Sequence, residues 1–157
     1  MMSRSGPVRR SVIAAGVLVA LLVADGVRPG AAQEERSTWD GVFNGEQAAR
    51  GAEIYGGMCA SCHGPQLGGI DAAPALNGGA FFANWNGIAL AEMADRVRRT
   101  MPANAPGVMT RQQVVDVMAY IFSRNGMPSG EAELPRQTTL LRGIVFRPTR
   151  GDGGPPP

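Results

Sequence analysis

Both cysteines and the only histidine of the 157-residue chain lie within five consecutive positions. They are Cys59, Cys62 and His63, in the segment MCASCHG. Thiolate and imidazole groups are soft or borderline metal ligands, and thiols also form covalent bonds. The spacing therefore predicts one site that uses all three side chains. Its chemistry depends on which reaction or cofactor needs this particular set.

Three chemistries that use a Cys-x-x-Cys pair leave part of the set unexplained. Thioredoxin-like thiol redox needs a strand before the motif, and the residues before Cys59 have a helical pattern. Structural zinc needs four ligands, whereas the segment supplies two thiolates and one imidazole. A disulfide between Cys59 and Cys62 is compatible with an exported protein, but it gives His63 no role.

Covalent attachment of a c-type haem uses every member of the set. The thiols of Cys59 and Cys62 would add to the haem vinyl groups. His63, as the next residue, would then present its imidazole to the iron as the proximal ligand. The motif therefore predicts one covalently bound haem c.

The iron would take a second axial ligand from elsewhere in the chain. Because there is no second histidine, the remaining soft neutral donor is methionine. Met101 and Met109 lie in the loop segment TMPANAPGVM, which its prolines make rigid. We predict Met101 as the ligand, with Met109 as the alternative. In a third possibility Met101 only fills a crevice and the iron is five-coordinate.

Helices must position these residues, since no alternating strand pattern is present. Asn44 with Gln47, and Thr110 with Gln113, have the spacing of capping boxes at helix starts. Apolar residues recur at helical spacing in each predicted helix. We therefore predict an all-α fold with three to five helices and loop-rich connections. The predicted helices have the sequences NGEQAARGAEIYGGM, IALAEMADRVRRT and TRQQVVDVMAYIFSRNG, with a short helical turn at 79–83.

The N-terminal residues 1–32 have the pattern of a secretory signal peptide. Arginines precede an uncharged apolar run at 12–24, and small residues precede Gln33. The alternative is an uncleaved anchor, although a run of thirteen residues is too short to span a bilayer core of about 30 Å comfortably. Cleavage before Gln33 would leave no stable membrane span and would place the protein in the periplasm.

The predicted mature chain carries 11 arginines and 12 acidic residues, a net charge of −1, which argues against a nucleic-acid partner. We divide it into an irregular lead-in at 33–43, a domain at 44–128, and a strap with a disordered tail at 129–157. The final GDGGPPP is too rich in glycine and proline to bury a core.

Residues 44–128 resemble the class I cytochrome c family. The resemblance is carried by the segments GAEIYGGMCASCHG, APALNG and RRTMPANAPGVMTRQQVVDVMAYI. It implies a cytochrome c fold around one haem, with Met101 in the ligand position and an aromatic residue, Tyr55, before the motif. It also implies that the carbonyl of Pro74 accepts a hydrogen bond from the proximal His63. The segment RNGMPSGEAELP loosely resembles small mono-haem bacterial cytochromes associated with quinoprotein alcohol dehydrogenases.

Phe82 and Trp85 are candidates for the walls of the haem pocket, and ordinary core packing explains each of them equally well. The expected function is that of a periplasmic mono-haem electron carrier, not an enzyme, whose redox partner proteins are a dehydrogenase, a terminal oxidase or both. One alternative is a dedicated haem subunit of a periplasmic dehydrogenase complex. Another is a ligand-binding or peroxidase-like haem protein.

Overall fold

The computed structural model describes residues 35–151, so the predicted signal peptide and the last six residues lie outside the described residues. The described part contains six helices and two very short strands, which confirms the all-α class. Two of the helices are only four residues long. In chain order the elements are β1 (Arg36–Ser37), α1 (Gly45–Met58), α2 (Ala60–His63), α3 (Gly78–Trp85), α4 (Leu90–Thr100), α5 (Arg111–Arg124), α6 (Thr138–Leu141) and β2 (Ile144–Val145).

The crossing of α1 and α5 forms the centre of the fold. A Cβ at Gly51 would collide with the backbone carbonyl of Asp116 and would lie 2.9 Å from the Cβ of Tyr120. Glycine is therefore the residue that lets the two helices approach this closely. One turn further along α1, the ring of Tyr55 packs against that of Tyr120 with centroids 5.1 Å apart. The two tyrosine rings therefore pack together beside this crossing.

Charged groups tie the same two helices together on their outer side. Arg50 on α1 donates hydrogen bonds to the carboxylate of Asp116 at 3.2 and 3.3 Å. Asp116 is only 3% exposed and also accepts a hydrogen bond from Gln112 at 2.8 Å. Arg50 further pairs with Glu133, beyond the end of α5, at 2.8 Å. The buried carboxylate is therefore fully partnered, as burial of a charge requires.

One predicted capping box is correct and the other is wrong. Thr110 and Gln113 exchange both hydrogen bonds at the start of α5. At the start of α1 the side chain of Asn44 caps the backbone of Gln47 at 2.8 Å, but the Gln47 side chain does not return to Asn44. It is fully buried and binds both the N–H and the carbonyl of Leu134, at 2.7 and 3.1 Å.

Of the predicted strap and tail, residues 129–147 pack along the domain and close its core. The name strap is used for these residues from here on. β2 pairs in parallel with β1, so the predicted irregular lead-in contributes a short strand. Phe146 is fully buried, and its ring lies 5.5 to 6.0 Å from those of three phenylalanines, measured between centroids. These three are Phe81, Phe82 and Phe122. Between residues 35 and 151, none of the helices combines the length and apolar character needed to cross a membrane.

Candidate functional site

The Cys-x-x-Cys-His motif lies where α1 meets α2. The N–H of Cys59 still donates to the carbonyl of Tyr55 in α1, at 2.9 Å. The carbonyl of Cys59 accepts from the N–H groups of Cys62 and His63, at 3.1 and 2.9 Å. One tight turn therefore gathers the three functional side chains. Cys59 is half-buried, Cys62 is exposed, and both are free thiols.

Burial raises the pKa of the Cys59 thiol above its ordinary value, and the neighbouring Cys62 adds to the effect. A thiol with a raised pKa carries little thiolate at neutral pH, so the arrangement does not favour thiol redox chemistry. The motif places the two sulfurs on one short helical turn, with Cys59 half-buried and Cys62 exposed. This placement suits the formation of two thioether bonds to one rigid planar group.

The imidazole of His63 is held in one orientation. Its Nδ1 lies 2.8 Å from the carbonyl oxygen of Pro74, and the residue is only 8% exposed. Because a carbonyl can only accept, Nδ1 carries the proton and donates. The other ring nitrogen, Nε2, then keeps its lone pair for a metal. Hydrogen bonds of this kind fix the tautomer of a metal-binding histidine and raise its basicity.

The segment that presents the Pro74 carbonyl is itself tied down on both sides. The N–H of Gly69 donates to the carbonyl of His63 at 2.9 Å, and that of Leu76 donates to Leu67 at 2.7 Å. The side chain of Asn125, just after α5, donates to the carbonyl of Leu76 at 3.0 Å. Gly69 has φ +78°, and a Cβ there would lie 2.5 Å from the oxygen of Ala73. These contacts therefore hold the Pro74 carbonyl in place beside the imidazole.

Tyr55 braces the residue that follows the histidine. Its hydroxyl donates to the carbonyl of Gly64 at 2.7 Å, and the residue is 2% exposed. Burial raises the pKa of Tyr55 to about 12. Sequence reasoning placed Tyr55 at the site, and the structure gives it a specific contact on the backbone beside His63.

Met101 and Met109 have different surroundings. Met101 follows the last residue of α4, is half-buried, and donates its N–H to the carbonyl of Val97 at 2.9 Å. Met109 is 2% exposed and belongs to the hydrophobic core. The side chains of Met93, Met118 and Met127 are equally enclosed. Apart from Met58, which adjoins Cys59, Met101 is the one methionine of residues 35–151 that is half-buried and not buried, and it packs at the edge of the core.

Phe82 and Trp85 are both half-buried and lie on α3. The ring of Phe82 packs against Phe146, with centroids 6.0 Å apart. The guanidinium of Arg96 lies over the ring of Trp85, 5.4 Å from its centroid. Sequence reasoning did not identify Phe146 or Asn125 as supports of the site. The only signal for Asn125 was its place after α5, which indicated a helix end.

The donor set fits a haem c. It comprises two free thiols on one turn, an imidazole with a free Nε2, and the thioether of the half-buried Met101 at the end of α4. Residues 35–151 contain no cluster of three or more histidine, cysteine or acidic side chains arranged to hold a metal ion. A pair of thiols beside one oriented imidazole is the arrangement that covalent haem attachment requires.

Comparison with known proteins gives a family match for the segment that carries the motif. Residues 46–121, from α1 to α5, match the family described as cytochrome c oxidase, cbb3-type, subunit III. No curated protein matches the chain significantly. Among solved structures, the sulfane dehydrogenase SoxCD from Paracoccus pantotrophus aligns with 23% identity and a TM-score of 0.44, over 58% of this chain and 54% of that one. The chain therefore spans about half the length of that protein.

Proposed function

Because residues 46–121 are a class I c-type cytochrome domain, an electron-transfer module with covalently bound haem c, we propose that this protein is a mono-haem electron carrier of the periplasm. In this proposal Cys59 and Cys62 hold the haem, and His63 and Met101 are the axial ligands. The protein exchanges single electrons with redox partner proteins and catalyses no reaction of its own.

The observation that carries the proposal is the hydrogen bond between His63 and Pro74, 2.8 Å long. It fixes the protonated nitrogen as Nδ1 and leaves the lone pair of Nε2 free, so the imidazole can bind iron without a change of tautomer. Bound haem c supplies one-electron exchange at its iron. The chain's own part is to keep the ligands still. A site that changes little between its two redox states exchanges electrons with little reorganisation.

Accessibility favours Met101 over Met109 as the second ligand. To bind a metal, Met109 would have to leave a core position where it is 2% exposed, which costs several kcal/mol of packing. Met101 gives up less packing, because it is only half-buried at the end of α4. Within the loop that follows, the N–H of Ala105 donates to Pro102 at 2.9 Å, which limits the freedom of the backbone beside the sulfur.

The proposal of a periplasmic location is supported by the signal-like pattern of residues 1–32. Assembly of c-type haem outside the bacterial cytoplasm agrees with export of the chain. The mature protein would begin at Gln33. Size-exclusion chromatography of the native protein separates a free carrier, which elutes alone, from a dedicated haem subunit, which elutes with a dehydrogenase.

Two measurements test the haem and its ligands. A pyridine haemochrome spectrum with the intact mass of the purified protein reports covalent haem c, and we expect one haem per chain. A colourless protein with the mass of the bare polypeptide would refute the proposal.

Met101→Ala should abolish the long-wavelength ferric absorption due to sulfur ligation and lower the reduction potential. Met109→Ala is the matched control, and it should keep that absorption while losing about 2–5 kcal/mol of stability. The reverse result would transfer the ligand role to Met109.

A further inference from the structure

A cavity of about 480 Å³ lies between α4, α5 and the strap, formed by residues other than the proposed haem ligands. Its walls include the side chains of four residues that are almost completely buried, so the floor is apolar. These residues are Ala91, Val114, Val115 and Leu141, each 1–5% exposed. A volume of this size falls in the range of about 300–1,000 Å³ that is typical of small-molecule sites.

The rim of the cavity is rich in arginine. It carries Arg98 from α4, Arg111 from α5, and Arg136 and Arg142 from the strap. Arg111 is oriented by a hydrogen bond from its guanidinium to Thr138, at 2.9 Å. Within residues 35–151, the other three guanidinium groups have neither an ion pair nor a side-chain hydrogen bond. Their hydrogen-bonding capacity is therefore available to a ligand.

Two carboxylates also line the cavity, and they do not cancel this charge. Asp95 is paired with Arg99, which is outside the lining, at 2.6 Å. Glu92 is then the one lining carboxylate that remains without an ion pair in the described part of the chain. Four arginines line the same cavity, so it keeps an excess of positive charge.

We propose that this cavity binds a small organic anion that carries either a phosphate group or at least two carboxylate groups on an apolar carbon framework. Guanidinium groups bind both kinds of oxyanion through paired N–H donors. The buried alanine, valine and leucine side chains would cover the carbon framework. Two consecutive helices and the strap supply the arginines, so the site exists only in the folded chain. It does not depend on the haem and goes beyond the proposed electron carrier.

The test uses the full-length, haem-loaded protein and calorimetric titration at constant ionic strength. The probes are citrate, inorganic phosphate and, as a monoanion control, acetate. We expect citrate or phosphate to bind at one saturable site, at least about tenfold more tightly than acetate, because one charge engages fewer guanidinium groups. The stronger of the two probes identifies carboxylate or phosphate as the preferred group.

A charge-matched pair of double variants tests the location. Arg136→Gln with Arg142→Gln should weaken binding at least about tenfold. Arg124→Gln with Arg150→Gln removes the same charge from residues that do not line the cavity and should leave the affinity nearly unchanged. Arg124 ends α5, thirteen residues from Arg111, which is about 20 Å along the helix.

Two outcomes of the titrations would overturn the proposal. One is that neither citrate nor phosphate binds to the unmodified protein at a saturable site. This result overturns the proposal whether or not any variant folds. The other is an equal loss of binding in both double variants, which would indicate general charge attraction. As an independent check, the bound probe should shift the NMR signals of Val114 and Val115 but not those of Gly64. A shift at Gly64 alone would place the anion elsewhere and refute the site.

Discussion

Gly51→Ala should destabilise the protein, although alanine is the better helix former. In isolation the substitution favours a helix by about 1 kcal/mol. In this fold the new Cβ would collide with the carbonyl of Asp116 and come within 2.9 Å of the Cβ of Tyr120. The main obstacle is backbone, which cannot rotate away as a side chain would. The two helices must therefore separate.

Gly56 in the same helix is the matched control, because a Cβ there would meet nothing within 4 Å. Overpacking of a rigid contact costs about 3 kcal/mol, so Gly51→Ala should lose about 2 kcal/mol after the helix gain. Gly56→Ala should gain up to about 1 kcal/mol. A difference of about 3 kcal/mol corresponds to roughly 12 °C in melting temperature for a domain of this size.

Urea unfolding followed by far-UV circular dichroism, with both variants in the haem-loaded state, measures this difference. The opposite signs of the two changes are the essential result, because helix propensity alone predicts the same sign for both. If Gly51→Ala were as stable as Gly56→Ala, the close approach of α1 and α5 would not exist in solution.

Three further changes test other parts of the fold. Gln47→Ala leaves two buried backbone groups of the strap without partners and should cost about 2–4 kcal/mol, measured by urea unfolding; unchanged stability would contradict the burial of these hydrogen bonds. The pKa of Tyr55 rises from its ordinary 10.0 to about 12, so the unfolded chain loses this proton first, and the free energy of unfolding should fall as pH rises from about 10 to about 12. Tyr55→Phe should remove that fall, and the same slope in both proteins would contradict it. A chain that ends at Pro128 should fail to fold, whereas one that ends at Gly151 should fold, as circular dichroism would report. The reason is that five residues of the strap are at most 6% exposed, and their burial contributes about 7–15 kcal/mol, as much as the net stability of a typical domain.

The sequence predicted those features that depend on neighbouring residues. The capping box at Thr110 and Gln113 involves residues three positions apart, and both of its hydrogen bonds form. The apolar stripe of α4 begins at Leu90 and Met93, which are both buried. Caps and helical periodicity act within one or two turns, so they can be recognised without a tertiary structure. The Cys-x-x-Cys-His motif is local in the same sense.

Features that depend on distant residues could not be predicted in this way. Gln47 has the position of a capping-box residue, but its partner in the fold is Leu134, 87 residues later. The advantage of satisfying two buried backbone groups outweighs a solvent-exposed cap. Phe146 lies in a stretch without clear periodicity, and only the packed aromatic cluster reveals its role. The contact between His63 and Pro74 was expected from a family resemblance and not from the spacing of the residues.

The geometry of the proposed haem site depends on the helix crossing rather than on the motif alone. On one side of His63, the carbonyl of Gly64 is held by Tyr55, whose ring packs on α5. On the other side, the loop that orients the imidazole is held by Asn125, the residue that follows α5. Both supports move if α5 moves. Gly51 lies close to the motif in both sequence and structure. A change at Gly51 should therefore disturb the position of the histidine as well as the stability of the domain.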